Sequence, residues 1–121
     1  MEELAFNELF AVTPAVRYVA FATGQEVNVR RREDIDSASA EESDRYEELL
    51  VNPTLLLLAR QRGEIDCGGL RFLVVGYGNF HQLVVPLETG HVSIAFEPEA
   101  DPIDHLAAVR DVMDRHDLLS E

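Results

Sequence analysis

The chain has no lysine, no tryptophan and a single cysteine, Cys67. Without lysine there is no Schiff-base chemistry and no Walker-type phosphate lysine. All ten basic residues are therefore arginines. With one cysteine no intrachain disulfide can form, which fits a reducing, intracellular setting. Long hydrophobic runs are also missing. The run Leu55–Ala59 is as long as any and far too short to span a bilayer. The N-terminus, Met1-Glu2-Glu3-Leu4, lacks the basic and apolar regions of a secretory signal. These absences predict a soluble, cytoplasmic protein with no membrane insertion. No internal repeat and no low-complexity tract is present.

What is there is a normal globular composition with a lopsided charge. The 121 residues are 46% hydrophobic and 27% charged. That length supports one core and predicts one domain over 1–121. Acidic residues outnumber basic ones by 23 to 10, for a net charge of -13. So negative a chain is repelled by nucleic acid and by anionic lipid, and it favours partners with basic patches.

The patterning predicts the order α-β-β-α-β-β-β-α. Leu4, Phe6, Leu9 and Phe10 are helically spaced, and Pro14 closes the segment. Val16–Ala22, a Thr23-Gly24 turn and the alternating stretch Gln25–Arg31 read as a β-hairpin. The acidic stretch 33–42 reads as a linker or a loose helix lead-in, with Ser43 as the cap of the next helix. Tyr46, Leu49 and Leu50 give that helix an apolar face, and Asn52-Pro53 then interrupts it as the start signal of a second segment or as a kink. The four leucines 55–58 cover more than one face, so this segment is expected to be buried on two sides, with Gly63 just past its end. Leu70–Tyr77, Phe80–Leu87 and His91–Phe96, separated by glycine-bearing turns, form an antiparallel meander. Asp101 as N-cap and Pro102 at N1 open a last amphipathic helix. The fold class is α+β, with a five-stranded antiparallel sheet.

No catalytic constellation stands out. None of the four histidines is paired at helical spacing with another metal ligand. His81 and His91 fall on adjacent strands, and both read as solvated strand residues. Cys67 has no base nearby in sequence and reads as a loop thiol. Gly76-Tyr77-Gly78-Asn79 precedes a strand rather than a helix, so it is a hairpin turn and not a phosphate loop. Glu97-Pro98-Glu99-Ala100-Asp101 lacks the pattern of a calcium loop. The expectation is no enzyme, no cofactor and no metal. Arg30, Arg31 and Arg32 form the one basic cluster. It reads either as a strand end paired with Glu33, Asp34 and Asp36, or as a contact for an acidic partner. The region Leu49–Leu58 offers more apolar surface than one small domain covers, which points to a dimer or another protein partner.

The stretch Leu83-Val-Val-Pro-Leu-Glu-Thr-Gly-His-Val-Ser-Ile-Ala-Phe-Glu-Pro-Glu-Ala-Asp-Pro102 is similar to the strand, turn, strand and last-helix entry of the roadblock/LC7 (dynein light chain-like) family. Val16-Arg17-Tyr18-Val19-Ala20 is similar to that family's first strand. With the element order, the chain resembles the family over about residues 4 to 116. The resemblance implies a noncatalytic regulatory module that dimerises through its central helices, joins its two sheets into one and binds a Ras-like small GTPase or a larger assembly. On this reading Leu50, Val51, Leu55, Leu56 and Leu58 form the dimer face, and Arg30, Arg31 and Arg32 a peripheral partner contact. The alternative is a profilin- or PAS-like sensor holding an apolar ligand between sheet and central helix.

Overall fold

The computed structural model describes residues 2–32 and 40–118. The predicted pairing of Arg30–Arg32 with Glu33, Asp34 and Asp36 lies outside them. The elements are α1 (Glu2–Phe10), β1 (Val16–Thr23), β2 (Glu26–Arg31), α2 (Ala40–Tyr46), a π-helical turn (Glu47–Val51), α3 (Asn52–Asp66), β3 (Leu73–Gly76), β4 (His81–Pro86), β5 (Gly90–Phe96) and α4 (Pro102–Arg115). All five strands form one antiparallel sheet in the order β2-β1-β5-β4-β3. The architecture is α+β, as the sequence predicts. Among the described residues no helix is long and apolar enough to cross a membrane.

Strand alternation divides the sheet into two chemically different faces. Val19, Phe21, Leu83, Val85, Val92, Ile94 and Phe96 point to one side. There they pack with Ala5, Phe6 and Leu9 of α1 and Val109, Val112 and Met113 of α4. Phe6 meets Phe21 edge to face at 5.1 Å. This is the apolar core. The other side carries Tyr18, Ala20, Gln82, Val84, His91, Ser93 and Ala95, all buried, and α2, the π turn and α3 lie across it.

Three boundaries depart from the sequence reading. The helix is already formed at Ala40, so Ser43 lies inside it and caps nothing. Asn52-Pro53 does not break it. Tyr46, Val51 and Asn52 all keep right-handed helical angles, and the Asn52 N–H donates to the Glu47 carbonyl, five residues back. Pro53 has no N–H to donate, and its ring crowds the preceding turn of a regular α-helix. The wider π turn ends directly before it and carries the chain through, so 40–66 is one continuous central helix. Gly63 does not end this helix either. It allows a close approach, since a Cβ there would sit 3.0 Å from the Gly69 carbonyl carbon. The helix ends at Asp66, and Gly68 and Gly69, with φ of +81° and +95°, turn the chain away. Asp101 caps α4 as predicted, its carboxylate accepting from the Ile103 N–H at 3.0 Å.

Candidate functional site

The central helix is turned opposite to what its leucines suggest. Its sheet-facing residues are Asp44, Glu48, Asn52, Leu56 and Gly63, all buried. Its outer face exposes Tyr46, Leu50, Leu55, Leu57, Leu58 and Ile65, by 37% to 75%. The leucine run is therefore not buried on two sides. Leu56 alone of the four reaches the sheet, at 5% exposure.

The reason lies under the π turn. Glu48 is fully buried, and its carboxylate is the hub of a polar network. It accepts from Asn52 Nδ2 at 3.0 Å, from His91 Nε2 at 2.7 Å, from Tyr18 Oη at 3.1 Å, from Gln82 Nε2 at 3.3 Å and from Ser93 Oγ. Gln82 Nε2 also donates to Tyr18 Oη at 2.9 Å. Tyr18, Gln82, His91 and Ser93 come from three adjacent strands, so the sheet offers a matched set of donors to one carboxylate. Buried polar groups must find partners. Here the helix meets the sheet through hydrogen bonds and sends its leucines outward. Burial, with the negative charge of Glu48 next, pushes the Tyr18 hydroxyl far above the ordinary phenol pKa, so it stays a donor. Among the described residues, Asn52 Oδ1 is buried without a partner. Asn52 is thus a network member and not the N-cap its sequence position suggests.

The predicted dimer-face residues divide accordingly. Leu50 and Leu58 are 55% and 59% exposed and Leu55 is 37% exposed, while Val51 is half-buried. Leu56 points into the protomer. Leu57, absent from the predicted set, stands on the outer face at 56%.

The three clustered arginines take three separate partners. Arg30 pairs with Glu3 and lies over the Phe6 ring, Arg31 pairs with Asp44, and Arg32 pairs with Glu97. Arg17 also reaches Glu97, at 3.1 Å. Beside α2 and the π turn lies a groove of about 490 Å³, lined by Arg17, Arg31, Asp44, Glu47, Tyr77 and Phe80 among others. Tyr77 Oη donates to the Glu47 carboxylate at 3.0 Å. Burial, and then this bond, hold the Tyr77 hydroxyl up to about 12. The groove flanks the helix and mixes charged with aromatic lining. The layer between helix and sheet, where a sensor would hold an apolar ligand, is filled by the Glu48 network.

The histidines are dispersed. His81 and His91 are not cross-strand neighbours, for His81 pairs with Phe96 and His91 with Pro86. His91 is not solvated but buried at 3% exposure. His81 Nε2 lies 3.1 Å from the Pro98 carbonyl, His105 stacks on Phe96, and His116 bonds Glu8. Cys67 is an exposed thiol just past the end of α3. Sequence reasoning missed Glu48 and His91. The available signal was the four-residue spacing of Asp44, Glu48 and Asn52, a polar stripe in line with Leu56.

This arrangement has a counterpart among solved structures. A roadblock/LC7 domain from Streptomyces avermitilis superposes with a TM-score of 0.63, over 93% of this chain and 94% of that one, at 18% identity. The chain has the roadblock/LC7 fold. No protein-family model and no curated protein matches the sequence. The likeness therefore lies in the fold.

Proposed function

We propose that the chain is a noncatalytic regulatory module that works as a homodimer, its central helix packed on that of a second copy. The observation that carries this reading is the outer face of the central helix. Tyr46, Leu50, Leu55, Leu57, Leu58 and Ile65 stand exposed along it, each by 37% or more. An exposed apolar set of this kind on one helix marks a protein contact surface, and a helix face that meets its own copy across a two-fold axis is self-complementary. The strand β3 supports the reading. It is an edge of the sheet with apolar Leu73, Val74 and Val75, whereas the other edge, β2, alternates with charged residues. An apolar edge is the one that a second sheet can extend.

The buried polar groups have a structural role in this reading. Glu48 has no exposure and its carboxylate is engaged on both oxygens, so no base is presented to a substrate. The partner of the dimer is a Ras-like small GTPase or a larger assembly, a reading that rests on the fold. Arg30, with 47% of its side chain exposed, is the member of the arginine cluster best placed as a peripheral contact. Light scattering of the purified protein tests the dimer. A mass near twice 13.6 kDa is expected, and a monomer at all concentrations removes the helix interface. Purified GTPase in its two nucleotide states then tests the partner, and equal or no binding of both states overturns it.

A further inference from the structure

A second cavity lies at the far end of the central helix. It has a volume of about 410 Å³ and sits where the end of α3, the Gly68–Arg71 loop, the β4–β5 turn and α4 meet. Three of the ten arginines line it: Arg60 from α3, Arg71 from the loop and Arg110 from α4. None of the three forms an ion pair among the described residues, although the chain carries 23 carboxylates. Of the other seven, Arg17, Arg30, Arg31, Arg32, Arg62 and Arg115 do, and Arg45, which lies outside the cavity, does not among the described residues.

The three are held in place by other means. Arg60 donates to the Leu87 carbonyl at 3.5 Å, and Arg110 donates to the Arg71 carbonyl at 3.2 Å. The Arg71 guanidinium lies near the Phe72 ring, 5.7 Å from its centroid. A guanidinium has five N–H donors, so each keeps most of its donors unused. Glu64 and Glu88 also line the cavity, and neither forms an ion pair with these arginines. The lining therefore carries three positive and two negative charges in a molecule of net charge -13.

We propose that this cavity binds a small phosphomonoester, its phosphate group held by Arg60, Arg71 and Arg110. A phosphate dianion presents three acceptor oxygens, and the planar guanidinium fork matches them better than any other cationic side chain. The cavity falls within the range of about 300–1,000 Å³ common for small-molecule sites. Leu70, Pro86 and Leu87 supply apolar lining for the organic part. At physiological salt the charges beyond about 8 Å are screened, so the local arginines outweigh the acidic remainder of the surface.

Titration with phenyl phosphate, read by backbone amide NMR shifts, tests this. Inorganic phosphate and sodium chloride at matched ionic strength are run beside it. Saturable shifts are expected at Gly68, Gly69, Leu70 and Arg71. Arg71→Gln should weaken binding at least about tenfold, the equivalent of one charge-assisted hydrogen bond. This side chain makes no hydrogen bond among the described residues, so the variant should keep the wild-type spectrum elsewhere. Arg62→Gln, which removes the pair with Asp66 and the contact with Cys67 Sγ and leaves the three cavity arginines in place, should bind as wild type. Shifts that chloride reproduces, shifts that do not saturate, or unchanged binding by Arg71→Gln overturn the proposal. Equal affinity for phenyl phosphate and inorganic phosphate overturns the ester.

Discussion

Glu48 is the residue on which the helix–sheet contact turns. A carboxylate with no exposure is tolerated because five side chains donate to it. Removing it strands those donors away from water. Glu48→Ala should cost about 3–5 kcal/mol, the usual penalty for breaking a buried charged network from one side. Glu48→Gln, which keeps the shape and one acceptor, should cost less. Urea unfolding midpoints measure both, and a Glu48→Ala loss under about 1 kcal/mol would mean the network carries little of the fold. The neighbouring Glu47 gives a pH effect. Burial, the largest cause, raises its pKa; the Tyr77 hydroxyl opposes this, and Glu48 and Asp44 add to it. The native chain thus holds this proton to higher pH than the unfolded chain. The contribution of Glu47 is fully present below its unfolded pKa and is lost as pH rises through the folded one. Glu47→Gln should therefore raise the stability at about pH 7 relative to that at about pH 4, compared with wild type. Urea midpoints at the two pH values check it, and a relative loss at the higher pH would reverse the sign.

At the scale of the element, the central helix separates two kinds of leucine that look alike in sequence. Leu56 is buried against the sheet, and Leu58, two residues on, is 59% exposed. Their replacement by aspartate should have opposite consequences. Leu56→Asp places an unpaired charge in the interior and removes packing worth about 2–5 kcal/mol, so the protein should unfold or lose its cooperative transition. Leu58→Asp should leave the far-ultraviolet dichroism and unfolding midpoint of the protomer near wild type and yield a monomer by light scattering. A Leu58→Asp protein that stays dimeric would move the interface off this face. The strands behave more simply. Alternation alone places Leu83 and Val85 on one side and Gln82 and Val84 on the other, and the observed faces follow it.

At the scale of the whole molecule, the charge of -13 opposes self-association. Two copies brought together repel, and only the apolar helix faces offset this. The Debye length falls from about 30 Å at 0.01 M salt to about 8 Å at 0.15 M, so added salt should tighten the dimer. Sedimentation equilibrium across that range measures it. A dimer that loosens with salt would be held by charge pairs instead of the leucine stripe, and the arginine cluster would then be the place to look.

The element order, the meander of the last three strands, the hairpin turns and the Asp101 cap were legible because each depends on near neighbours in the chain. Alternation, turn glycines and an N-cap aspartate act within a few residues, so the primary structure by itself determined them. What it left open depends on groups far apart. Whether Asn52-Pro53 breaks the helix is decided by a π turn, and that turn is anchored by Glu48 to Tyr18, Gln82, His91 and Ser93, each more than 25 residues away along the chain. The same long-range bonds decide which helix face meets the sheet. A hydrophobicity pattern assigns leucine to the interior, because burying apolar surface is the general rule. Here four polar strand side chains provide partners for a carboxylate, which also accepts from an asparagine, and the leucines turn outward. Only the tertiary structure places donors from three strands around one buried acid, and so only it decides which surface of the helix is left for a partner.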